Sequence, residues 1–134
     1  MSESINSITE NECHIFVIDD SKFHNIILKK MLTAKGYAVK TFTNGFHLLE
    51  QLQQTEMKPH LIISDIEMPE IDGFTLFEEI KNHSGIQNIP FMYISSLSPT
   101  EVNSRVEATG AEGFIQKPIS KSTFWDTINQ IIFS

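Results

Sequence analysis

One pattern constrains this chain more than any other. Five times over, a run of four or five mostly apolar residues is followed by a longer segment whose apolar residues recur at helical spacing. The short runs are His14-Ile15-Phe16-Val17-Ile18, Ala38-Val39-Lys40-Thr41-Phe42, Leu61-Ile62-Ile63-Ser64, Phe91-Met92-Tyr93-Ile94-Ser95 and Gly113-Phe114-Ile115-Gln116. Three are almost continuously apolar, as strands buried on both faces must be. Between them, Phe23, Ile27 and Met31 with Leu28 and Leu32 form a helical stripe ahead of Gly36, a helix stop. Phe46, Leu49 and Leu52 form a second stripe, and Phe74, Phe77 and Ile80 a third after Asp72-Gly73, with Asp72 as cap. Ser98-Pro99-Thr100-Glu101 supplies an N-cap, a proline at N1 and a capping-box glutamate for a fourth helix. A fifth runs from about Ser120 and carries Phe124, Ile128, Ile131 and Ile132. Strict βα alternation predicts an α/β fold, a doubly wound parallel sheet of five strands with right-handed crossovers and helices on both faces.

At 134 residues the chain suits one domain, and no repeat or composition shift marks a second. Residues 1–12 are polar and aperiodic and read as a flexible leader, leaving 13–134 as the domain. Cys13 is the single cysteine, so no internal disulfide is possible. A lone thiol without a secretory signal points to the cytoplasm, and no apolar run approaches the roughly 20 residues of a membrane span. A net charge of −7 has the wrong sign for bulk phosphate neutralisation, which argues against direct nucleic-acid binding. It suits a divalent cation and basic partner surfaces.

In such sheets ligands sit beyond the carboxyl ends of the strands, so the residues that end strands are the ones to inspect. Strand one ends in Asp19-Asp20, strand three in Asp65, strand four in Ser95-Ser96 and strand five in Lys117-Pro118. Three carboxylates gathered there repel one another unless a cation joins them, and an all-oxygen donor set favours Mg²⁺, with Mn²⁺ possible, over zinc. Lys117 offers a positive charge for an oxyanion and Ser95 a hydroxyl, which fits a phosphoryl group carried on a carboxylate. Asp65 stands alone at the end of the central strand and is the best nucleophile. The adjacent Asp19 and Asp20 are better placed as metal ligands, one directly and one through water.

These residues resemble the receiver domains of two-component response regulators, in their stand-alone, chemotaxis-regulator-like form. The likeness covers residues 14–133. It rests on Phe16-Val17-Ile18-Asp19-Asp20-Ser21, on Leu61-Ile62-Ile63-Ser64-Asp65-Ile66-Glu67-Met68-Pro69-Glu70-Ile71-Asp72-Gly73, on Pro90 through Ser95, and on Gly110-Ala111 through Phe114 to Lys117-Pro118. The resemblance implies a flavodoxin-like (βα)₅ fold that takes a phosphoryl group from a phosphohistidine onto Asp65. Mg²⁺ would be held by Asp20, Asp65 and the carbonyl of Glu67, with Asp19 assisting through water. Ser95 and Lys117 would grip the phosphoryl oxygens, Ser95 and Phe114 would act as the switch pair, and Lys117-Pro118 would be cis. The donor would be a histidine kinase or a histidine phosphotransfer protein. The output would be an unidentified downstream protein on the face of helix four, strand five and helix five, with autodephosphorylation ending the signal. The alternative is a receiver excised from a longer transcription factor, output enzyme or hybrid kinase.

Ser95 stands where threonine is commoner in that family, Ser96 where a small apolar residue is usual, and Ile119 where phenylalanine often follows Lys-Pro. Glu67 is close enough to Asp65 in sequence to influence a hydrolytic water or to pair with Lys117, and is expected to tune phosphoryl lifetime. Taken singly, Asp19-Asp20 reads as a helix cap, Asp65 as a turn residue and Lys117 as a solvated lysine, but all of these must hold at once to defeat the reading. An aspartate-nucleophile phosphatase needs Asp-x-Asp after strand one, which Asp19-Asp20-Ser21 does not supply. Flavin binding needs a phosphate-cradling loop there, also missing. His14, His24, His47, His60 and His83 show no metal-ligand spacing and are expected in surface or packing roles, and Trp125 is expected partly exposed.

Overall fold

The computed structural model describes residues 13–133, so the leader expected at 1–12 lies outside the described residues. The elements in chain order are β1 His14–Ile18, α1 Lys22–Ala34, β2 Ala38–Phe42, α2 Gly45–Gln54, β3 Leu61–Asp65, α3 Gly73–Lys81, β4 Phe91–Ser95, α4 Pro99–Thr109, β5 Gly113–Gln116 and α5 Lys121–Phe133. All strand pairs are parallel and the sheet order is β2-β1-β3-β4-β5. The chain therefore leaves β1 toward one edge and returns past it to β3. The crevice at that reversal opens between the carboxyl ends of β1 and β3.

Burial follows strand position. Every residue of the inner strands β3 and β4 is buried, whereas the edge strands β2 and β5 are largely open. Alternate side chains divide between two cores. Phe16, Ile18, Ile62, Phe91 and Tyr93 join Leu48, Phe74, Phe77 and Val102 under α2, α3 and α4. Ile15, Val17, Ile63 and Met92 join Leu28, Leu32, Phe124 and Ile128 under α1 and α5. Trp125 is half-buried, stacked on Tyr37 with the Lys35 ammonium 5.3 Å from its ring centre.

The caps fall where the sequence places them. Asp72 accepts from the Thr75 amide at 2.8 Å, and the Glu101 carboxylate accepts from the Ser98 amide at 2.9 Å and its hydroxyl at 2.8 Å. Those bonds hold the Glu101 carboxyl below its ordinary range. Three stripe residues go the other way: Phe23 is 68% exposed, Ile27 39% and Phe46 58%, so α1 rests on Leu28 and Leu32 and α2 on Leu48, Leu49 and Leu52. Helical period states which residues share a face, while the area the sheet offers decides which of them it covers.

Candidate active site

β1 ends at Ile18, and the next residue, Asp19, still donates its amide to the Phe42 carbonyl of β2 at 3.1 Å while its side chain meets other partners. Asp19 is buried, 1% exposed. Its Oδ1 accepts the Ser21 amide at 2.9 Å and its Oδ2 accepts Lys117 Nζ at 2.8 Å. Asp20 turns outward and is exposed. Asp65, the last residue of β3, is 6% exposed, and one oxygen from each of the three carboxylates lies within 4.8 Å of the others.

Lys117 reaches this cluster from the far edge of the sheet. Its amide donates to the Ser95 carbonyl at 2.7 Å, and the Lys117-Pro118 bond is cis, as the family pattern implies. Its ammonium then lies 2.8 Å from Asp19 Oδ2 and 3.6 Å from Asp65 Oδ2. One ammonium against three carboxylates leaves an excess of negative charge. Burial and the Asp19 carboxylate push the Asp65 carboxyl up from 3.8 to about 6, against the opposing pull of Lys117.

That shift and the donor set together test the site for a metal. The donors are all carboxylate oxygens, their separation suits a single small ion, and two negative charges remain uncompensated when all three are ionised; the residues fit a hard divalent cation.

Ser95 is buried at the end of β4, where its Oγ accepts the Leu97 amide at 3.1 Å and its O–H remains able to donate. Phe114 is half-buried, opposite Tyr93 in the β4–β5 register, and packs against the core under α4. Glu67 is exposed and lines a cleft of about 520 Å³ with Met68, Asp72, Glu101 and Arg105. Among the described residues, the carboxylates paired with Lys117 are Asp19 and Asp65, so the pairing with Glu67 held open from sequence is not formed.

Two residues of the site were missed in the sequence reading. Buried Asn25 of α1 donates through Nδ2 to the carbonyls of Asp19 at 3.0 Å and Phe42 at 2.9 Å, which ties the helix to the ends of β1 and β2. Asn25→Ala leaves the Asp19 carbonyl without this donor, and we expect a loss of about 1–3 kcal/mol in urea denaturation, where a neutral result would contradict this role. His24, expected in a surface or packing role, instead places Nδ1 at 3.1 Å from Lys117 Nζ and 3.4 Å from Asp19 Oδ2. Polar residues in the first turn of an amphipathic helix carry no sign of such partners, because the partners come from β1, β2 and the end of β5.

A backbone constraint holds Asp65 in place. The Gly73 amide donates to the Ile66 carbonyl at 2.8 Å, and a Cβ on Gly73 would overlap the Asp65 carbonyl oxygen and sit 3.0 Å from Ile66 Cα. Only glycine lets α3 start this close to the strand end.

Comparison with known proteins places this geometry among relatives. A family model described as the response regulator receiver domain matches residues 15–129. The chain is 35% identical over 132 residues to the two-component response regulator ARR17 of Arabidopsis thaliana, covering 90% of this chain and 86% of that protein. It is 33% identical over 130 residues to the two-component response regulator ORR3 of Oryza sativa subsp. indica, covering 96% and 98%. Among solved structures, the signal receiver domain of a signal transduction histidine kinase from Syntrophus aciditrophicus superposes with a TM-score of 0.81 at 30% identity, covering 90% of each chain.

Proposed function

Because the chain belongs to the response regulator receiver family of two-component signalling, we propose that Asp65 is its phosphoacceptor and that phosphorylation there switches the binding of a partner protein. The observation that carries this reading is the convergence of Asp19, Asp20, Asp65 and Lys117, from three strand ends, on one crevice.

The proposed chemistry follows from what each group can do. An Asp65 carboxylate oxygen attacks the phosphorus of a phosphohistidine on a histidine kinase or phosphotransfer protein, the P–N bond breaks, and the imidazole leaves with the electron pair. Asp20, Asp65 and the Glu67 carbonyl would hold Mg²⁺, or Mn²⁺ in its place, with Asp19 assisting through water; the ion would supply positive charge to neutralise the transferring oxygens. The Lys117 ammonium, beside Asp65, donates to a phosphoryl oxygen. The Ser95 hydroxyl donates to a second one, and because Ser95 Oγ also receives the Leu97 amide, its movement is transmitted to the loop that begins α4. Phe114 then repacks beneath α4, shifting the α4-β5-α5 face toward the state its partner prefers. Attack of water on the phosphorus breaks its bond to the Asp65 oxygen, which leaves as the carboxylate with release of phosphate, and ends the signal at a rate that Glu67 tunes from its exposed position. These steps need no nucleic acid and no membrane. No helix of the described residues is long and apolar enough to cross one, and the cytoplasm is the proposed compartment.

Intact mass after incubation with acetyl phosphate tests the reading. The expected result is a gain of one phosphoryl group with Mg²⁺ and none after chelation. A protein that stays unmodified with Mg²⁺, and binds no beryllofluoride, is not a phosphoacceptor.

A further inference from the structure

The surroundings of the Lys117 ammonium extend beyond the carboxylates. An ammonium has three N–H donors and no lone pair, so any ring nitrogen it meets must accept from it. One donor goes to Asp19 Oδ2 at 2.8 Å and another to His24 Nδ1 at 3.1 Å, which puts the imidazole proton on Nε2. Asp65 Oδ2, at 3.6 Å, lies within reach of the third.

The backbone of His24 is held by its own amide, which donates to Oγ of the N-cap Ser21 at 3.3 Å, and by the buried clamp Asn25 that follows, while its ring centre lies 6.1 Å from that of Phe23. Its side chain is 44% exposed, so no core packing accounts for where the ring sits. Lys117, by contrast, carries four rotatable bonds whose freedom must be suppressed if the ammonium is to stand at one point in the crevice.

We propose that His24 is a positioning residue for Lys117: by accepting one N–H it fixes the ammonium between Asp19 and Asp65, with a donor left for the phosphoryl group. This rests on Asp65 being the phosphoacceptor. In the step concerned, an Asp65 oxygen attacks the phosphorus of the donor, the bond to the leaving group breaks, and acetate departs with the electron pair when the donor is acetyl phosphate. Lys117 faces the charge that develops on the phosphoryl oxygens, and a lysine that samples other rotamers meets it less often.

The test measures the rate of phosphorylation by acetyl phosphate at saturating Mg²⁺, with Mg²⁺ affinity determined separately by calorimetry. His24→Leu is expected to slow phosphorylation by about fivefold, the scale of one partly exposed hydrogen bond to a charged group, with Mg²⁺ affinity unchanged. His24→Asn, whose Oδ1 replaces Nδ1 as acceptor, is expected to restore most of the rate. In a Lys117→Ala background, His24→Leu is expected to change nothing further, since the group it positions is gone. Equal rates in the wild type and His24→Leu, a His24→Asn variant as slow as His24→Leu, or a loss that persists without Lys117 would each overturn the proposal. A wild-type protein that takes up no phosphoryl group overturns the phosphoacceptor reading and this one with it, an outcome distinct from the other three.

Discussion

Asp65→Asn is expected to take up no phosphoryl group under conditions that label the wild type, and yet to be the more stable protein at pH 7 when divalent cations are chelated. The first effect is all-or-none, because an amide oxygen is no nucleophile for phosphorus at neutral pH. The second follows from the raised Asp65 carboxyl. In the folded protein it titrates near 6, against an ordinary value of 3.8, because burial and Asp19 disfavour its charged form. The native state therefore holds a proton that the unfolded chain has lost between those two values, so stability falls as pH rises through that window and stays low above it. Below pH 4 both states are protonated and the penalty vanishes. The gap between the two values corresponds to about 3 kcal/mol at pH 7, with the attraction to Lys117 already counted in it. Urea denaturation of both proteins at pH 4 and pH 7 measures it: the variant's advantage should be present at pH 7, small at pH 4, and cancelled by Mg²⁺ bound at the proposed wild-type site. A variant less stable than the wild type at pH 7 without metal would show that Lys117 more than compensates the buried charge.

Gly73→Ala is expected to damage both stability and chemistry. The new Cβ would overlap the Asp65 carbonyl oxygen and crowd Ile66 Cα, and both belong to backbone that cannot turn aside as a side chain does. Relief requires moving the start of α3 away from β3, which breaks the Gly73 amide bond to the Ile66 carbonyl, or moving Asp65 itself. Overpacking against backbone costs about 2–3 kcal/mol, and a displacement of the nucleophile by about 1 Å can lower the rate a hundredfold. Gly45→Ala is a suitable contrast, since its Cβ meets a side chain, Ile71 Cγ2 at 2.6 Å, away from the Asp65 backbone. It should also cost stability, because Ile71 is buried, but its effect on phosphoryl uptake should be negligible. Equal loss of phosphoryl uptake from the two substitutions would contradict the role given to Gly73.

Much of this arrangement was legible because strands buried on both faces leave little ambiguity. The runs Leu61-Ile62-Ile63 and Phe91 through Ile94 can only be inner strands, and the polar residue that ends each one stands out. Asp19, Asp20, Asp65, Ser95 and Lys117 are legible as the polar residues at strand ends, and the structure places them there. Phe23 and Phe46 were placed on stripes that the fold leaves partly uncovered, since periodicity carries no information on the reach of the opposing sheet. His24 and Asn25 escaped for a different reason. Their partners, Lys117 and the carbonyls of Asp19 and Phe42, are brought to α1 by the ends of β1, β2 and β5, so their roles exist only once the sheet is assembled.

The central claim is that Asp65 itself carries the phosphoryl group, and borohydride reduction followed by peptide mapping tests it most directly. Hydride attacks an acyl phosphate and leaves an unmodified carboxylate alone, converting the labelled aspartate to homoserine. After incubation with acetyl phosphate and Mg²⁺, homoserine is expected at position 65, with Asp19 and Asp20 intact and no conversion when Mg²⁺ is withheld. Homoserine at another aspartate, or an adduct that survives as a serine, threonine or histidine phosphate, would contradict the account.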